Sequence, residues 1–239
     1  MTIESEDKYK VPKSDIRDTA HLIFRAALSL IPHWGGSLSE IFKALLKPSI
    51  NRRTENWMNE IGQGLLELEK RQKLDYEELS NNDDFITILI QASWTAVRNH
   101  QEEKIKALRN AVINTASNID LTNDMQLLFI RYIDELTPTH ITILKFFIDN
   151  ELKIARVTSF IELHQAFVHE TSMIIDEMYF KLICEDLKIR CLVRISESIQ
   201  DFPGINIQRK AISFGPEEGD NILVVSKIGK DFIKYITLE

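Results

Sequence analysis

Cysteine is almost missing from this chain, and glycine and proline are scarce: among 239 residues there are 2 Cys, 8 Gly and 6 Pro. Cys184 and Cys191 stand seven apart in one helix-patterned segment, too far along its axis for an intrahelical disulfide, and no C-x-x-C pair occurs. A reduced, cytoplasmic setting is therefore expected. So little glycine and proline, beside abundant Leu, Ile, Lys, Glu and Asn, argues against a turn-rich β architecture and for helix.

Charge of one sign is also lacking. The formal net charge of -7 is spread evenly, with 16 basic against 19 acidic residues through Ile130 and 13 against 17 from Arg131 onwards. Neither half is a basic nucleic-acid module by bulk charge. Long hydrophobic runs are missing too. The longest uncharged stretch, Ala26 to Ser39, contains Pro32 and His33 and falls short of the roughly 18 apolar residues of a membrane span. The opening "MTIESEDKYKVPK" is polar, with no apolar core of a secretory signal, and is expected to be a flexible tail over residues 1–13.

Signatures of familiar chemistry are missing as well. There is no G-x-S-x-G, no H-E-x-x-H and no glycine-rich nucleotide loop. The six histidines, His21, His33, His100, His140, His164 and His169, are scattered, and the five-residue step from His164 to His169 points the two rings in different directions on a helix. Asp149-x-Glu151-x-Lys153 has the acid-x-lysine spacing of some metal-dependent nucleases. It follows a helix instead of sitting on a strand, and is read as a solvated charge cluster in a loop. No catalytic residue, metal site, cofactor or small-molecule substrate is expected.

What the chain does have is apolar periodicity. Ser14 can cap a helix with Ile16, Ala20, Ile23, Phe24 and Ala27 on one face, stopped by Pro32. Gly35-Gly36 then permits a reversal, and Ser37-x-x-Glu40 is a capping box opening a second helix along Leu38, Ile41, Phe42 and Leu45. Nothing around the glycine pair resembles a phosphate cradle, so the corner is read as structural. A third helix is expected from Ser49, after Pro48, to about Lys73, with Ile50, Trp57, Ile61, Leu65 and Leu68 buried. Asn82 and Asp83 can cap a fourth along Phe85, Ile88, Leu89, Ala92 and Ala96. "HQEEK" leads to a fifth with Ile105, Leu108 and Val112, and Thr122 precedes a sixth with Met125, Phe129 and Ile133. Such stripes make sense only if the helices bury them against one another, as a bundle over residues 14–135. Of the tryptophans, Trp57 falls on a buried stripe. Trp94 falls off one, available to a partner or to the C-terminal half, and Trp34 lies in the corner.

From residue 136 the texture changes. Thr137 as cap and Pro138 at the first helical position open an almost wholly apolar helix. Two more helices are expected, Thr158 to His169 and Thr171 to about Val193, the second burying Ile174, Ile175, Met178, Leu182 and Ile189. The period then drops to 2 in "INIQRKAISF", a turn follows at "GPEEGDN", "ILVVS" returns as a second strand, and "KIGKDFIKYI" closes as an amphipathic helix. Three helices, a β-hairpin and a last helix are the parts of a winged-helix-like α+β domain over residues 136–239. The fold class is thus mainly α, a bundle of about six helices followed by that domain.

The order of "IPHWGGSLSEIF", "RRTENWMNEI", "EEKIKALRNAVIN", "ELTPTHITILKFF" and "SKIGKDFIKYI" resembles a broad type of uncharacterised bacterial protein with a helical N-terminal half and a winged-helix-like C-terminal half. The resemblance implies an association with phage defence or stress response and carries no catalytic residue.

Three functions are compatible with these features. The leading one is non-enzymatic recognition of a protein partner or self-association, through the winged helix and exposed bundle faces. The second is a membrane-active effector whose hairpin, residues 20–46, inserts beside Lys43, Lys47, Arg52 and Arg53, a basic segment with no acid between Glu40 and Glu55. The third is a winged-helix DNA-binding regulator. Its phosphate contacts would fall to Arg190, Arg194, Arg209 and Lys210, against repulsion from Asp176 and Glu177 on the recognition helix and Glu217, Glu218 and Asp220 at the wing tip.

Overall fold

The computed structural model describes residues 40–71, 76–155, 157, 159–196 and 222–238. Expectations for residues 14–39, the Gly35-Gly36 corner among them, and for the strand "INIQRKAISF" with Arg209 and Lys210 lie outside these residues. Among the described residues the chain is mainly helical, with ten helices and a two-stranded antiparallel sheet. It divides into two compact units, Met1–Ile130 and Arg131–Glu239, and the division falls within a helix.

The first unit contains α1 (Glu40–Arg71), α2 (Tyr76–Ser80), α3 (Asp83–Arg98), α4 (Glu102–Ala116) and the beginning of α5 (Asn123–Glu135). The expected break at Pro48 does not occur, and α1 runs through it for 32 residues. Proline lacks an N–H and so removes one hydrogen bond from a helix interior, but a long helix retains the bonds on either side. α1 packs against α3 and α4, which pack against each other. The stripe Trp57, Ile61, Leu65 and Leu68 is buried as its spacing predicts, while Ile50, assigned to the same stripe, is exposed. The Trp57 indole Nε1–H donates to Ser93 Oγ at 2.9 Å, and the Ser93 hydroxyl donates to the Leu89 carbonyl at 2.6 Å, so both buried polar groups are satisfied. Asn82 caps α3 by accepting from the Phe85 N–H at 3.0 Å.

The second unit starts on the last part of α5 and continues through α6 (Pro138–Asp149), α7 (Glu151–Ile154), α8 (Phe160–Thr171), α9 (Glu177–Ile189), β1 (Val193–Ser196), β2 (Ile222–Val225) and α10 (Lys227–Tyr235). α6 is the central helix, in contact with α8, α9, α10 and β2. Its aromatic side chains extend a chain of ring contacts, Phe146 to Phe167 at 5.4 Å and Phe167 to Phe180 at 5.1 Å between centroids, that joins α6, α8 and α9.

Three expectations are corrected in this unit. Of the segment Asp149 to Lys153, read as a loop, Asp149 ends α6 and Glu151 and Lys153 lie in the helical turn α7. The helix expected from Thr171 to Val193 is shorter at both ends. Thr171 closes α8, Ser172 takes a left-handed φ of 55°, and α9 begins only after Asp176, whose carboxylate accepts from the Met178 and Tyr179 N–H groups. At the other end Val193 belongs to β1, which pairs with β2 in the register Val193↔Val225 to Ser196↔Ile222. A left-handed residue before α9 and another after it, Cys191 with φ 58°, set these limits.

Candidate functional site

α9 carries two apolar stripes, and the structure buries the one opposite to the sequence expectation. Phe180, Ile183, Cys184 and Leu187 point inward and are sealed, Phe180 under Phe160, His164 and Phe167. Met178, Leu182 and Ile189, expected in the core, point outward with 71%, 64% and 76% of their surface accessible. Ile174, just before the helix, is exposed as well. The orientation is fixed from both ends. Asp176 caps the first turn, and His164 Nε2–H donates to the Ile175 carbonyl at 2.8 Å, tying the α8–α9 connection to α8. Met178 and Leu182, one turn apart, and Ile189, two turns further on with Glu185 between, lie on one side of the helix and form an apolar patch that water alone covers at a cost.

The edge of α9 next to α5 and α6 bears a polar cluster. The Thr137 N–H donates to His140 Nδ1 at 3.2 Å, and the Thr137 hydroxyl lies 2.7 Å from the same nitrogen, forming a capping box at the start of α6. With Nδ1 accepting, Nε2 carries the proton and donates to Asp186 Oδ2 at 3.2 Å. Asp186 also accepts from Arg190 Nε at 3.1 Å, and Arg190 Nη1 bonds Glu135. The Arg190 guanidinium stands 5.5 Å from the centre of the Tyr132 ring, whose hydroxyl donates to the Arg190 carbonyl at 3.2 Å. Burial works against the charge on Arg190, and the bonds it donates to Glu135 and Asp186 outweigh this, holding its pKa above the usual arginine value. Burial raises the Tyr132 phenol, with Arg190 opposing.

The order Thr137, His140, Asp186 has the outward look of a hydroxyl, imidazole and carboxylate relay. Its hydrogen bonds say otherwise. The imidazole lone pair that would take a proton from the hydroxyl already accepts the backbone N–H of Thr137, and the Thr137 side chain serves to cap α6. The cluster locks α5, α6 and α9 in register. It was not legible in the sequence, because Glu135 and Arg190 are 55 residues apart and only the Thr137-Pro138 cap gave a local signal.

The positions proposed from charge fall differently. Arg190 is held by two carboxylates, and Arg194 is exposed on β1. On α1, Lys43 and Lys47 lie in its first turns and Arg52 is exposed. The Arg53 guanidinium turns to the end of α3, donating to the carbonyls of Val97 at 3.4 Å and Arg98 at 3.5 Å, where the negative end of the helix dipole favours a cation. No described helix is long and apolar enough to cross a membrane, and among the described residues no three His, Cys, Asp or Glu converge as metal ligands. Glu151 and Lys153 engage separate partners, Lys230 at 3.3 Å and Glu170 at 2.8 Å. The bond from Lys153 lowers the Glu170 pKa; desolvation opposes it, and the Lys153 charge and His169 add to the lowering. Trp94 is partly exposed on α3, as its place off the stripe predicts.

The chain matches no protein-family model, no curated protein and no solved structure, so its functional reading rests on this geometry.

Proposed function

We propose that the second unit is a winged-helix-like docking module, non-enzymatic, whose α9 presents its outer face to another protein. The observation that carries this reading is the exposure of Met178, Leu182 and Ile189 on the helix that a DNA-reading winged helix would place in the major groove. Phosphate and base edges reward arginine, lysine and amides on such a helix; aliphatic side chains at its surface gain more from an apolar protein groove. The capture of Arg190 by Glu135 and Asp186 supports the same preference, since it withdraws one of the cations a phosphate contact would need.

The test places a photo-crosslinking phenylalanine analogue at Leu182 of the full chain, with a second version at the exposed Glu103 of α4 as reference. Irradiation in producing cells should give discrete protein adducts from position 182 and not from 103. Adducts to nucleic acid or lipid alone, or no adduct specific to position 182, would overturn the proposal.

A further inference from the structure

The protein that α9 docks against is, we infer, a second copy of this chain, with the two α9 helices paired antiparallel about a two-fold axis. The inference rests on the docking reading above and adds the identity of the occupant. At 100° per residue, Met178, Leu182 and Ile189 lie within about 40° of one another around the helix. On one side of this stripe come Glu185, Lys181, Lys188 and Glu177. The other side begins with Asp186, held by His140 and Arg190, and continues with Tyr179. The inward face, Phe180, Ile183, Cys184 and Leu187, is already used.

Read along the helix, the charged flank runs Glu177, Lys181, Glu185, Lys188, alternating minus, plus, minus, plus. When two copies of a helix pair antiparallel, each flank meets the same flank of its partner in reverse order. An alternation of four charges reversed in this way meets its opposite at every position. With the axis beside residue 183, Lys181 faces Glu185 of the other copy, Glu177 comes next to its Lys188, and both contacts occur twice. The same register sets Met178 across from Ile189 of the other copy and brings the two Leu182 side chains to the axis. A parallel pair would bring this flank against Asp186 and Tyr179, and Asp186 is already held by His140 and Arg190, so the charge match is lost. The surface is therefore self-complementary in both its apolar and its charged parts, the requirement for an isologous interface. In the single chain Lys188 turns back to Glu185 as an i,i+3 pair, so the charges that would reach across are already gathered on that flank.

Sedimentation equilibrium of the purified full chain from 1 to 100 μM tests this. The wild type is expected to dimerise within that range. Leu182→Glu should be monomeric with an unchanged far-ultraviolet circular dichroism spectrum, because the side chain is 64% accessible in the single chain. Lys181→Glu and Glu185→Lys should each weaken the dimer about tenfold, and the double exchange should restore it to within about twofold. A wild type that stays monomeric, a Leu182→Glu protein that still dimerises, or a double exchange no tighter than the single ones would each overturn the inference. A monomeric wild type together with specific protein adducts from position 182 would remove the second copy and leave the docking reading standing.

Discussion

Cys191 occupies a position that the backbone reserves for glycine. It follows the last turn of α9 with φ 58°, its N–H bonded to the Lys188 carbonyl at 2.9 Å, and the Leu192 N–H reaches back to Leu187 at 2.9 Å. These two bonds define a Schellman ending, in which a side chain at the left-handed residue costs about 1 kcal/mol. Cys191→Gly should raise the unfolding free energy by about 1 kcal/mol, read from the urea midpoint at constant slope. The same turn receives the start of α10. The Ser226 N–H donates to the Leu192 carbonyl at 3.0 Å, and the Ser226 hydroxyl bonds the Cys191 carbonyl and accepts from the Gly229 N–H. A Cβ on Gly229 would stand 2.1 Å from the Leu192 carbonyl oxygen and 2.8 Å from Val225 Cγ1. Backbone cannot yield as a side-chain end can, so Gly229→Ala should lower stability by about 3 kcal/mol or more in the same denaturation experiment.

Among the elements, the legible helices were those whose local signals agree with their packing. Asn82 before α3, Thr122 before α5 and the Thr137-Pro138 pair before α6 are caps a few residues from the stripes they introduce, and each is seen in the structure. α9 was misread because it has apolar residues at helical spacing on two faces, and periodicity alone cannot say which one meets the core. What decides is nonlocal: Phe180 enters a ring cluster built by α6 and α8. β1 was lost for a similar reason. Four residues, Val193 to Ser196, are too few for an alternation to stand out, and their partner strand is Ile222 to Val225, on the far side of residues 197–221. The corrected faces make a direct contrast between two leucines five residues apart. Leu187→Ala, at a fully buried site, should cost about 2 to 5 kcal/mol, whereas Leu182→Ala, measured at submicromolar protein, should change stability by less than about 0.5 kcal/mol.

At the scale of the whole molecule, composition indicated a mainly helical chain and the period-2 stretches a small sheet; the described residues form both, with Val193 to Ser196 as the strand that pairs with Ile222 to Val225. The candidate site was less legible, because the proposed docking face consists of ordinary core-type residues that are left outside, and the arrangement is known only once the other face is filled. The chain's two thiols report on that arrangement without any substitution. Cys184 is on the inward face of α9, where burial, with a smaller contribution from the neighbouring Glu185 charge, raises its pKa far above the usual thiol value, and Cys191 is exposed beyond the helix end. Thiolate is the form that reacts, so the two should differ sharply in the folded protein. Alkylation of the native chain followed by intact-mass and peptide analysis is the most direct measurement. The account predicts one adduct, at Cys191, with the second appearing at Cys184 only along the global unfolding curve. Modification of Cys184 in the native state as fast as Cys191 would contradict the inward placement of that face, and with it the outward face on which the proposed docking rests.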